Sequence, residues 1–215
     1  LEEAPPKAIL LLTAESCEQL LPTIVSRCEV LLLRPLPLSR LQEELTARWQ
    51  IPPQQAEVYA HLASGRVGTA LGYHQQDERR QLRRQALEDL IALLPASRVQ
   101  RFAFADKMTN LQNKTAEERD RIRQRLRETL GHWLAWWRDV LVAQNGGGAP
   151  LINQDHAQQI SAAAASLPRG CGLKLTHALQ QVLEDMDANL NLRLLLEVLM
   201  LDLPVVALPP PASEA

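Results

Sequence analysis

Leu20-Leu-Pro-Thr-Ile-Val-Ser-Arg-Cys28 sits between two short apolar runs, Ile9 to Thr13 and Glu29 to Leu33. Each run is rich in Ile, Leu or Val and is bounded by proline or polar residues, the pattern of a buried strand. Between them, Ser16 with Gln19 three residues on has capping-box spacing, so a short helix is predicted there. Pro22 suits a first helical turn, and a helix restarting at it is predicted to carry Thr23 to Arg27. Strand, helix, strand in so short a span predicts the edge of an α/β sheet.

Outward from that edge the pattern turns helical and stays so. Ser39 is predicted to cap a helix running to Trp49, broken by Ile51-Pro52-Pro53. Gln54 to Ser64 forms a second helix ended by Gly65, and a third starts near Val67, where Gly68, Ala70 and Leu71 make a small-residue face. Leu82, Leu87, Leu90, Ile91 and Leu94 mark an amphipathic helix from Asp77 to Leu94. Thr115 to Ala143 is the longest helical pattern, and Asn145-Gly-Gly-Gly-Ala-Pro150 is a loop. Two more helices are predicted over Asn153–Ser166 and Leu173–Leu201. The predicted fold class is therefore mainly α. It has a remnant α/β edge over 1–36, a small three-helix lid over 37–77, an all-helical bundle over 78–203 and a disordered tail over 204–215.

Composition agrees with packed helices. Hydrophobic residues make up 46% of the 215 and aromatics 4%, so the core must come mostly from Leu, Ala, Val and Ile. The net charge of -2 points to no class of partner. From Glu78 to Glu128, however, 13 Lys and Arg stand against 8 Asp and Glu. Such a surplus fits an acidic partner or nucleic acid, and equally a solvated helix face. Cys17, Cys28 and Cys171 form no CxxC pair, and no His pair has ligand spacing, so neither a disulfide framework nor a metal site is expected. A cytoplasmic location follows, and no membrane partner is expected, because apolar runs such as Ala8 to Ala14 are too short to span a bilayer. The chain opens on Leu1 rather than Met and is expected to be cut from something longer.

Leu20 to Cys28, preceded by Leu1-Glu-Glu-Ala-Pro-Pro6 and the run ending Leu12-Thr13, resembles the clamp-loader branch of the AAA+ ATPases. In that family an acidic strand is followed by Leu-Glu-Glu-Pro-Pro, then by a strand ending in a sensor residue, then by Ser-Arg-Cys. Here Ala4 replaces the first expected proline, Thr13 falls at the first sensor position, and Ser26-Arg27-Cys28 matches in full. The resemblance implies that Arg27 acts in trans on the ATP of a neighbouring subunit, with Ser26 beside it. That chemistry suits arginine, whose planar, always charged fork can stabilise the charge that develops on a transferring phosphoryl group. The competing reading is a surface arginine favoured by the dipole at a helix C-terminus.

A second resemblance lies at Ala63-Ser-Gly-Arg-Val-Gly-Thr-Ala-Leu71. Motor subunits of the family carry a second sensor arginine two residues before the Ala-Leu pair. This sequence has Gly68 there and its arginine at Arg66, which implies the delta-prime type rather than the gamma/tau motor. The other reading is that Gly65 and Gly68 allow close helix packing. A third lies at Trp136-Trp-Arg-Asp-Val-Leu141 and Asp187-Ala-Asn-Leu-Asn-Leu-Arg-Leu-Leu-Leu-Glu197, which resemble the family's helical collar. Asn189, Asn191 and Arg193, with Leu194 and Leu195, are the implied interface with other subunits. Trp133, Trp136 and Trp137 share one helix face and read as core anchors.

No glycine-rich phosphate loop with its lysine appears in the sequence, and the resemblance places that loop upstream of Leu1. No cofactor is expected on this stretch itself; ATP and Mg are expected at a neighbouring subunit. The implied partners are gamma/tau and delta-type clamp-loader subunits and, through the complex, the sliding clamp and primed DNA. The Arg119, Arg123 and Arg127 stripe reads as a solvated face ahead of a DNA contact. Two readings compete with the main one: an active ATPase motor, and a helical DNA-binding module. Gly68 speaks against the first and the near-neutral charge against the second.

Overall fold

The computed structural model describes residues 9–14, 16–146, 148–188 and 190–209. Among these the chain is mainly α, as predicted, with ten α-helices, two 3-10 turns and no strand. It divides into two compact units, Leu1–Pro35 and Leu36–Ala215.

The first unit holds a 3-10 turn, Cys17–Gln19, and the single-turn helix α1, Pro22–Val25. Ser16 accepts a hydrogen bond from the Glu18 N–H, one residue short of the predicted capping box. Both runs predicted as buried strands are exposed coil instead, with Ile9 87% and Leu33 96% exposed. A helix closes its hydrogen bonds within its own segment, whereas a strand exists only beside a partner. Neither run makes a backbone ladder among the described residues.

The second unit has two separate cores. The smaller is built by α2 (Leu38–Trp49), α3 (Pro53–Ala63) and α4 (Val67–Gln75) around Leu41, Leu45, Ile51, Ala60 and Tyr73. α2 begins one residue before Ser39 and has no side-chain cap; Pro37 and Pro52, in extended backbone, turn the chain into α2 and α3. Ser64 and Gly65 both have positive φ, 47° and 84°, and the Gly65 carbonyl accepts from the Leu36 N–H at 2.8 Å. Gly65 therefore answers a turn requirement. Gly68 does not serve packing, since a Cβ added there would meet nothing within 4 Å.

The larger core is organised by α7 (Ala116–Gln144), packed most extensively on α9 (Cys171–Asp187) and also on α8 (Ala157–Ser166) and α5 (Asp77–Leu93). Leu126, Leu130, Trp133, Trp137 and Val140 recur in steps of four and three along α7 and all lie in this core. Trp133, Trp136 and Trp137 are each fully buried, as core anchors should be. Trp133 donates its indole N–H to the Ala86 carbonyl at 2.7 Å, and Trp136 meets Trp137 edge-on at 4.9 Å.

Two parts of this bundle depart from the sequence reading. Helix α6 (Arg98–Met108) was not expected, although Ser97 and Gln100 form a full capping box at its start. The single helix predicted over Leu173–Leu201 is two: α9 ends at Asp187 and α10 runs Leu192–Asp202. Asn191 makes the new start, its Oδ1 accepting from the N–H groups of Arg193 (3.1 Å) and Leu194 (3.3 Å). An asparagine competes with the helix backbone for such donors, which is why it caps a helix better than it continues one. The tail predicted as disordered from Pro204 packs over its first residues: the Val206 N–H reaches the Leu94 carbonyl at 3.3 Å, and Val206 and Leu208 lie against the core.

Candidate functional site

The Ser26-Arg27-Cys28 turn is built by α1. Pro22 opens the helix, and the N–H groups of Ser26, Arg27 and Cys28 close back on Pro22, Ile24 and Val25 at 2.9, 3.1 and 3.2 Å. Ser26 is thus the C-cap, and its hydroxyl donates to the Thr23 carbonyl at 3.3 Å. Arg27 Nη1 donates to the same carbonyl at 3.1 Å, so one helix-terminal acceptor holds both motif side chains. Arg27 is exposed, in the position that the helix-dipole reading describes.

Thr13 is also exposed. It lines a cleft of about 270 Å³ together with Cys17, Leu20, Ile24, Cys28 and the run after Glu29. Arg27 and Ser26 are not among the residues lining it, so the fold gathers Thr13 with Cys28 and the apolar face of α1 but not with the two polar motif residues.

The residues implied as an interface separate in a different way. Asn189 lies outside the described residues. Asn191 is the exposed cap of α10, and Arg193 is exposed and paired at 2.8 Å with both Asp106 and Glu197. Neither is a buried polar group awaiting a partner; the break between α9 and α10 places both at the surface. Leu195 packs against the core, whereas Leu194 is 58% exposed. On α10, Leu194, Val198 and Leu201 are all about half exposed and follow one face at helical spacing.

Of the arginine stripe on α7, Arg123 is engaged within the fold. Arg123 Nη1 donates to the Met186 carbonyl near the end of α9 at 2.8 Å. That is a C-terminal cap rather than an open cationic face.

Sequence reasoning missed the buried polar residues of the second unit. Asp139 is fully buried and accepts from the N–H groups of Ile152 and Asn153, from Asn153 Nδ2 and from Arg138. Asn153 Oδ1 in turn accepts from Arg83 Nη2 at 2.8 Å, while Arg83 grips both oxygens of Asp155 at 2.7 Å. Burial works to raise the Asp155 pKa, but the bidentate hydrogen bonds and charge of Arg83 prevail, and its net shift is downward. Arg101, 4% exposed, donates to the carbonyls of Leu93, Leu94, Met200, Leu203 and Pro204, which satisfies the C-terminal ends of α5 and α10 together. Burial lowers its pKa. The one signal available for these groups was charge set on helix faces that also had to pack.

Residues 1–37, which contain the Ser26-Arg27-Cys28 turn, match the family described as DNA polymerase III, delta subunit. The chain is similar to DNA polymerase III subunit delta' of Bacillus subtilis (strain 168), 27% identical over 203 residues. That match covers 94% of this chain and 58% of the relative, so the chain spans little more than half of the relative's length. No solved structure matches. Taken with the motifs, these similarities support a place in the clamp-loader family, delta-prime type.

Proposed function

We propose that this chain is part of a clamp-loader subunit of the delta-prime type, and that Arg27 supplies a guanidinium to the ATP site of a neighbouring subunit. The observation that carries the reading is the complete Ser26-Arg27-Cys28 motif on an exposed, tightly wound turn inside the segment that matches the family. A phosphoryl group in transfer spreads negative charge over its equatorial oxygens, and a forked cation held at a fixed place lowers that barrier. The Thr23 carbonyl that holds Arg27 here is an ordinary helix-end acceptor, which a phosphate oxygen would outbid because its charge makes a stronger hydrogen bond.

The rest of the chain fits a supporting role. Gly68 stands where a motor subunit has its second sensor arginine, and the open space around its Cα gives the glycine no packing reason to be there. The three helices α2–α4 act as a lid that does not close on ATP, and α5–α10 act as the collar. The exposed Leu194 face of α10 is the surface offered to other subunits, gamma/tau and delta in type. ATP and Mg belong to the neighbour, Thr13 occupies the first sensor position, and the sliding clamp and primed DNA are reached through the complex in the cytoplasm.

The test is steady-state ATPase of a reconstituted loader, with clamp and primed DNA present, carrying Arg27→Ala in the intact subunit. Turnover at the adjoining site should fall by roughly 10³–10⁵, diluted in bulk by the other sites, with assembly intact. Arg27→Lys should rescue poorly, because an ammonium lacks the planar fork. Wild-type turnover and clamp loading in Arg27→Ala would return Arg27 to the role of a helix-end cap.

A further inference from the structure

A cavity of about 290 Å³ lies between the α2–α4 cluster and the larger bundle, and the reading of Arg27 makes no use of it. Its charged lining is lopsided: Arg66 at the start of α4, Arg79 and Arg83 on α5, against Glu128 on α7. Ser64 and Thr69 add hydroxyls, and His132 adds an imidazole.

The most buried of these cations is incompletely satisfied. Arg83 is 8% exposed and spends Nη1 and Nη2 on Asp155 and Asn153, yet its Nε is buried with no hydrogen-bond partner among the described residues. Arg66 and Arg79 have no ion-pair partner among the described residues; Arg79 only lies over the Tyr73 ring at 5.7 Å. Glu128 accepts from Gln124 at 2.9 Å, and Asp155 already answers the fork of Arg83. What remains is an orphaned buried donor and two spare guanidiniums around a space that a small anion can enter.

We propose that this cavity binds a small phosphate-class anion, held by Arg66, Arg79 and the Nε–H of Arg83, with His132 and the hydroxyls of Ser64 and Thr69 completing the shell. The site goes beyond the Arg27 reading and does not depend on it.

His132 provides a reporter. Its pKa is held at about 4 by burial first and by the charges of Arg83 and Arg79 second. Tyr73 and Arg66 face it from α4, Arg79 and Arg83 from α5, and Glu128 from its own helix, with Asp155 behind Arg83. An anion among the arginines cancels their repulsion and makes protonation easier.

The experiment uses the full chain in chloride buffer, titrated with pyrophosphate, inorganic phosphate and ADP by calorimetry, with the His132 ring followed by NMR across pH. Saturable binding of pyrophosphate should raise the His132 pKa by about one unit or more. The double variant R66A/R79A, at two exposed positions, should keep the melting temperature and lose at least about tenfold in affinity. Equal affinity for pyrophosphate and ADP identifies the phosphates as the feature recognised; tighter ADP binding that R66A/R79A abolishes identifies a nucleotide as their source. No saturation by about 10 mM, undiminished binding in the double variant, or an unmoved His132 pKa would each overturn the proposal.

Discussion

The two units of this chain are comparably rich in large apolar side chains and treat them in opposite ways. In Leu36–Ala215, Leu41, Leu87, Leu130 and Trp137 are fully buried; in Leu1–Pro35, Leu11, Leu31 and Leu33 are 86%, 76% and 96% exposed. Hydrophobicity alone therefore does not decide burial here. Helices in the larger unit close their own backbone hydrogen bonds and need only bring apolar faces together. The apolar runs of the smaller unit need a sheet beside them before their side chains have anything to cover.

That contrast can be broken most severely from the larger unit. Trp137→Ala removes a fully buried indole from the C-terminal part of α7 and should cost about 3–5 kcal/mol in urea unfolding of the chain. A loss below about 1 kcal/mol would mean that the site collapses around the gap and that α7 does not organise the core.

Acid should act on the same unit through His132. Its folded pKa, about 4, lies below the ordinary histidine value, so the folded state binds fewer protons than the unfolded state between the two. Stability is full above the unfolded pKa near 6.5 and falls as pH drops toward 4, by about 3 kcal/mol at most. His132→Gln should flatten that part of the stability–pH curve. A curve as steep as wild type would assign the acid sensitivity elsewhere.

The smallest effect belongs to the smaller unit. Leu33→Ala should change the stability of this chain by less than about 0.5 kcal/mol, because the side chain is 96% exposed and leaves no cavity. A loss comparable to that of a core leucine would show that the run is covered in solution, and the contrast between the units would then disappear.

Much of the helical content was legible. Pro22 at the start of α1, Thr115 at the start of α7, and Gly65 after α3 are local signals, and each sits at its expected boundary. Asn191 and Ser97 are equally local but less legible: the apolar run through Leu192 to Leu201 masks one asparagine, and α6 lacks a clean apolar period. Of the candidate site, the Ser26-Arg27-Cys28 motif was legible as a motif. Its separation from Thr13 was not, because only the turn of α1 decides which residues face the cleft.

By itself the sequence determined the helical class, most helix ends and the tryptophan face of α7, because those depend on residues within a turn or two of each other. Only the tertiary structure decided the fates of the charged residues. Arg83, Arg101, Arg123 and Asp139 look alike in sequence to charges on solvated faces, yet they hold together a loop, three helix ends and the start of the tail. Most of their partners lie 13 to 103 positions away along the chain, so no local pattern could reveal that those carbonyls, amides and carboxylates would have to be satisfied out of water.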